Sequence, residues 1–147
     1  MADTFINNPS FFKLDATLKK LRNYWQKMFD SRQMDITVDQ WLLVENLYKH
    51  KKTTHNELAR NTSKDITTIS RIIELLVKKG LVKREADIYD RRKVYLQLTP
   101  DGTEKYKQVK PLVHEMRKTG WKSLTEADYA ELTRILDTIY GNIPTKI

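Results

Sequence analysis

The sequence predicts a mostly α-helical fold carrying one β-hairpin, and three observations predict it. Apolar residues recur at spacings of three and four over most of the chain, which lines one face of a helix. Residues that favour helix starts stand at Thr37, Thr54, Asp65, Thr99 and Thr125, each ahead of such a stretch. Only between Gly80 and Thr99 does the period change to two, the alternation of half-buried strands.

Ser10 opens the first helix, in which Leu14, Leu18, Leu21, Trp25 and Met28 share a face that continues to about Phe29. Thr37 caps a second helix that uses Val38, Trp41, Leu42, Leu47 and Tyr48 before a polar break at His50 to Lys52. Thr54 and Glu57 have capping-box spacing and start a short third helix to about Asn61. After a tight connection at Thr62 to Lys64, Asp65 caps a fourth helix ending near Lys79, with Gly80 placed for a left-handed exit.

Two helices joined by so short a turn make a helix-turn-helix candidate. Leu81 and Val82, then Val94, Leu96 and Leu98, form the hairpin, whose tip carries Asp87, Asp90, Arg91 and Arg92. Thr99 and Pro100 restart a helix bearing Tyr106, Val109, Leu112, Val113 and Met116, with a kink expected at Pro111. Thr125 and Asp128 begin the last helix, which presents Tyr129, Leu132, Leu136 and Ile139 up to a stop at Gly141.

Composition narrows the function classes. The chain has 147 residues, the length of one domain, and no cysteine, which removes disulfides, thiolate metal sites and cysteine nucleophiles. Met1 to Ser10 have no leader-like pattern and no run approaches the roughly 18 apolar residues of a membrane span, so a cytoplasmic location is expected. The net charge is +8, and +7 of it falls between Lys49 and Lys107, where the helix-turn-helix and hairpin lie. A surplus so localised points to a polyanionic partner.

On a helical wheel for Asp65 to Lys79, Ile69, Ile72, Ile73 and Leu76 fall together, while Thr67, Arg71, Glu74 and Lys78 fall opposite. The second helix of a helix-turn-helix enters the major groove by its N-terminal part. Thr67 and Arg71 are therefore the expected base contacts, Thr68 and Ser70 the expected phosphate contacts, and Ile66 is placed to touch a thymine methyl. At the hairpin tip, Arg92 suits a narrow minor groove, with Asp90 spaced to hold its guanidinium and Arg91 beside it.

Leu58-Ala59, the run Asp65 to Arg71, the run Leu76 to Arg84, Asp90-Arg91-Arg92 and the run Leu98 to Gly102 resemble, in order and spacing, the MarR family of transcriptional regulators. That resemblance implies a single domain over 1–147, with a winged helix-turn-helix core at about 36–100 and dimerisation helices at about 10–31 and 101–141. It implies a DNA-binding homodimer that acts as a repressor on a pseudo-palindromic operator, and possible release by a small aromatic or phenolic effector, for which Tyr24, Trp25, Trp41 and Tyr106 are the candidate contacts. Thr62 and Lys64 depart from the apolar residues usual there, so a more exposed turn is expected, and Ile66 stands where a basic residue is frequent.

No enzyme, cofactor or metal is expected. His50, His55 and His114 are too scattered for a metal site on their own spacing, and the four glycines form no phosphate loop. The run Lys49 to Lys52 reads as a solvated turn. The alternative is a winged-helix module that has lost DNA and uses its recognition face for protein contacts, and Ile66 is the residue that favours it.

Overall fold

A computed structural model describes residues 4–147. The elements, in order, are α1 (Ser10–Ser31), α2 (Val38–His50), α3 (His55–Thr62), α4 (Ile66–Lys78), β1 (Val82–Ala86), β2 (Val94–Leu98), α5 (Pro100–Gly120) and α6 (Glu126–Asn142). This is the mostly helical, one-hairpin fold expected from the sequence. Two compact units divide the chain, one running through Leu112 and the other from Val113 to Ile147.

The helix starts follow from local chemistry. Reciprocal capping boxes open α2 (Thr37 with Gln40), α3 (Thr54 with Glu57) and α6 (Thr125 with Asp128), so each start satisfies two backbone donors. Asp65 caps α4 by accepting the Thr68 N–H at 2.6 Å. The α4 helix then exits through Gly80 at φ +76, where a side chain would be strained. One boundary differs: α6 runs through Gly141 to Asn142, because a glycine in helical conformation weakens a helix without ending it.

In the first unit the core forms where the helix faces meet. Phe29, Trp41, Leu43, Leu58, Ile69, Ile73 and Leu96 are fully buried. The α2 face differs from the expected one, since Leu43 and Val44 are buried while Leu42 is half-buried and Tyr48 is exposed. The buried surface of α2 is thus rotated from the expected stripe, and Tyr48 instead stacks face to face on Tyr106 of α5, with ring centroids 3.7 Å apart. The N-terminal half of α1 leaves Phe11, Leu14, Leu18 and Leu21 exposed, whereas Trp25 and Phe29 are buried.

The helix-turn-helix corner is fixed by a three-residue ion cluster. Asp39 of α2 receives Arg22 of α1 at 2.6 Å and Lys64 of the turn at 2.9 Å. Lys64 is thereby tied down, its side chain only 18% exposed, which corrects the expectation of a more exposed turn. Burial pushes the Asp39 carboxyl up, but the hydrogen bonds and charges of Lys64 and Arg22 outweigh it and hold the group below its ordinary value of 3.8.

A carboxyl lowered in the folded state contributes stability that is present above its unfolded value and lost as pH falls through the folded one. Asp39→Asn is expected to cost about 1 kcal/mol at pH 7, allowing for the carboxyl's contact with water. In thermal denaturation the difference from wild type should shrink as the pH is taken below 3.8.

Among the described residues, no helix is long and apolar enough to cross a membrane. In the second unit, Trp121 meets Tyr129 edge-on at 5.4 Å, and no residue of α6 is buried.

Candidate nucleic-acid interface

The α4 helix separates its two faces as its period requires. Ile69, Ile72, Ile73 and Leu76 are buried, and Thr67, Ser70, Arg71, Glu74 and Lys78 are exposed. Thr68 is half-buried, its N–H engaged by the Asp65 cap, and Ile66 is exposed. The hydrogen bonds from Thr68 hold the Asp65 carboxyl below the usual range, so the cap stays ionised at neutral pH. Four of the residues expected to touch DNA, Ile66, Thr67, Ser70 and Arg71, therefore stand together on the free N-terminal part of α4.

The approach to α4 is equally local. Ser63 ends α3 in the left-handed conformation at φ +54, the Ser63 N–H bonds to the Arg60 carbonyl, and the Lys64 N–H reaches back to the Ala59 carbonyl at 3.1 Å. This turns the chain within three residues.

The hairpin pairs Val82 with Leu98 through Ala86 with Val94 in antiparallel register. A residue not singled out from the sequence anchors it. Thr53 exchanges backbone bonds with Leu96 (3.1 and 2.7 Å), and its hydroxyl donates to Glu57 of the α3 capping box at 2.8 Å. Bonds from the Thr54 backbone and then the Thr53 hydroxyl lower the Glu57 carboxyl. β2 is thus pinned to the start of α3, and the hairpin has a fixed root on the helix-turn-helix.

At the tip, Asp90 accepts the Arg92 N–H at 3.0 Å and its Nε at 3.3 Å. The Asp90 and Arg92 pair expected from the spacing is present, and the Arg92 side chain is 93% exposed. Arg91 is exposed beside it.

Comparison with known proteins places this geometry among known folds. The MarR family model matches residues 36–94, which span α2 to the first residue of β2. The chain has a MarR-like winged helix-turn-helix fold. This family of winged helix-turn-helix transcriptional regulators is not one of enzymes.

Among its relatives, the HTH-type transcriptional repressor IacR of Pseudomonas putida is 23% identical over 114 residues, covering 78% of this chain and 68% of the relative. Two solved structures share the fold. A mutant MarR from E. coli, in complex with operator DNA, superposes with TM-score 0.73 at 24% identity over 88% of this chain and 95% of that one. MepR of S. aureus, in a DNA complex, gives TM-score 0.81 at 21% identity over 92% and 98%.

Two cavities flank the winged helix. The smaller, about 450 Å³, lies between the start of α3 and the wing, lined by Thr54, His55 and Asn56 opposite Arg84, Arg92 and Lys93. Its charged lining is entirely cationic. Burial and then the Arg84 charge push His55 below its usual value of 6.5, which keeps it neutral at pH 7.

The larger cavity, about 770 Å³, is lined by Tyr48, Tyr106 and Lys110 together with polar residues of α2 and α3. Tyr106 is sandwiched between Tyr48 and the fully buried Trp41, at 3.7 and 5.4 Å, and Lys110 Nζ stands 5.4 Å from the Tyr106 ring centroid. Of the four aromatics considered for an effector, only Tyr106 lines this cavity. Trp41 stacks on Tyr106 from the core without lining the cavity, and Tyr24 and Trp25 of α1 do not line it either. Tyr48, read from the sequence only as a core position, joins it instead.

Proposed function

We propose that this chain is a MarR-family regulator that binds a pseudo-palindromic operator as a two-fold homodimer and represses transcription. Residues 36–100 serve as the DNA-binding core, and residues 10–31 and 101–141 as the dimerisation helices. The observation that carries the reading is the two-faced α4, whose buried isoleucines fix a helix that offers Thr67, Ser70 and Arg71 to solvent at its N-terminal end. Arg71 and Thr67 read base edges in the major groove. Thr68, Ser70 and the cationic cleft at Arg84 and Lys93 hold phosphates, where the start of α3 adds backbone donors. Arg92, steadied by Asp90, occupies the minor groove.

The apolar α1 and α6 faces support dimerisation, since Leu14, Leu18, Leu132 and Leu136 are all exposed in one copy. The bound proteins in the E. coli MarR and S. aureus MepR structures support DNA as the partner. The Tyr48–Tyr106 cavity suits a small aromatic ligand, with the exposed Tyr48 ring to pack against and Lys110, paired with Glu45 at 3.6 Å, at its wall. A ligand that favours the form with the wrong spacing of recognition helices releases DNA by population shift.

Titration of wild type, Arg71→Ala and Arg92→Ala against an operator duplex over a range of salt tests the interface. Arg71→Ala is expected to weaken binding about 10- to 100-fold and to relax base preference. Arg92→Ala is expected to weaken it and to flatten the salt dependence. Binding without salt dependence, or both variants as tight as wild type, contradicts the proposal. Exposed apolar contacts with a protein partner would then be the better use of Ile66.

A further inference from the structure

The wing carries two large side chains that neither its own fold nor the arginine contact uses. Ile88 is 89% exposed and Tyr89 is 95% exposed. They stand at the far end of the hairpin, in the loop 87–93 that closes on the pair Ala86 and Val94. This loop is not slack. The Asp87 N–H bonds to the Lys93 carbonyl at 2.9 Å and the Lys93 N–H to the Asp90 carbonyl at 3.0 Å. The Asp87 carboxylate accepts the Tyr89 N–H at 3.1 Å, just as Asp90 accepts that of Arg92.

Those bonds decide which chemistry faces outward. Asp87 is turned onto the tip backbone, and Asp90 onto the Arg92 N–H and the near side of its guanidinium. Arg91, Lys93 and the 93% exposed Arg92 therefore stand as cations around an exposed apolar pair. A partner that fits has anionic rims and an apolar wall between them. The DNA minor groove has that form, with phosphates at its edges and deoxyribose C–H faces along its sides. A protein partner would need a matching acidic rim, and the electrostatic surplus of this stretch suits a polyanion of uniform charge better.

We propose that Ile88 and Tyr89 form a second, apolar contact of the wing, entering the minor groove beside Arg92 and packing on its sugar walls. The inference rests on the DNA-binding reading above and deepens it. Because the tip backbone is already ordered by its own hydrogen bonds, little conformational freedom is lost when it docks. An apolar contact releases no counterion, so its signature differs from that of the arginine.

The test uses the full-length protein and a duplex recovered by its own selection from a random pool. The variants are Ile88→Ser with Tyr89→Ser, Tyr89→Phe, and Arg92→Ala. The double serine variant is expected to lose about 10-fold or more in affinity at every salt concentration, with the salt slope of wild type. Tyr89→Phe should bind as wild type, and Arg92→Ala should lower the slope by about one for each wing. Hydroxyl-radical cleavage, which attacks the sugars from the minor groove, should show protection at the outer ends of the site that the double variant loses.

Unchanged affinity and unchanged sugar protection in the double variant overturn the contact while leaving DNA binding intact. A loss accompanied by a lower slope overturns its apolar character. If wild type binds no duplex, the DNA-binding reading fails and the contact with it. Both residues are exposed, and circular dichroism of the double serine variant checks that its fold is retained.

Discussion

Leu132→Asp combined with Leu136→Asp is expected to give a folded monomer whose affinity for a two-half-site duplex is lower by about 100-fold or more. In a single copy no residue of α6 is buried, yet Leu132, Leu136 and Tyr129 recur on one face of it, and Leu14, Leu18 and Leu21 do the same on α1. Apolar stripes of this length stay in water only at a cost of about 25 cal/mol per Å², which association with a second copy removes. In the proposed homodimer this face meets its own copy, and aspartates placed there would resist the desolvation that association requires.

Because nothing in α6 depends on being buried within one copy, the paired substitutions spare the first unit. The affinity falls because each recognition helix then binds its half-site alone, without the high effective concentration that linkage provides. Light scattering at micromolar concentration and a duplex titration check the two halves of the expectation. A variant that remains dimeric, or a monomer that binds as tightly as wild type, contradicts it.

The second large effect lies in the fold. Gly102→Ala is expected to destabilise the protein by about 3 kcal/mol or more, enough to lower the melting temperature by roughly ten degrees. A Cβ at this position would collide with the Leu81 backbone carbonyl and stand 3.2 Å from Leu98 Cβ. Neither neighbour is free to withdraw. The Leu81 carbonyl accepts the Thr99 N–H at 3.0 Å, and Thr99 also bonds through its hydroxyl to the Gly80 carbonyl and the Gly102 N–H.

The start of α5 is thereby welded to the joint between α4 and β1, and Gly102 is the point of closest approach. The helical residue Gly120 has open space where its Cβ would be, so Gly120→Ala serves as the control and should be neutral or slightly stabilising. Equal melting temperatures for the two variants would contradict the account.

Features set by neighbours in sequence were legible before the structure. Thr54 with Glu57, Asp65 with Thr68 and Thr125 with Asp128 act over three residues, so spacing alone reveals them. The free and buried faces of α4 follow from its 3.6-residue period, and Asp90 reaches Arg92 within one turn.

What was not legible depends on contacts between distant residues. Lys64 and Arg22 meet Asp39 from 25 and 17 positions away, and no pattern near Lys64 indicates that its charge is already paired. Thr53 pairs with Leu96 as a single bridge, too short to leave an alternating stretch. The α2 register failed for the same reason. Tyr48 fits the apolar period, but its stack on Tyr106 carries it out of the core, and Leu43 and Val44 are buried where the single stripe had no place for them.

The central claim is that two copies of α4 read two related half-sites at once. Selection of duplexes from a random pool by the full-length protein, followed by sequencing, tests it most directly. The account predicts enrichment of an inverted repeat whose half-site centres lie about 10 base pairs apart, one turn of DNA, with binding that weakens as salt rises. Insertion of about five base pairs between the halves should then abolish tight binding, since it turns the second half-site to the opposite side of the duplex. Enrichment of an isolated half-site, tolerance of the insertion, or no enrichment at all would contradict it.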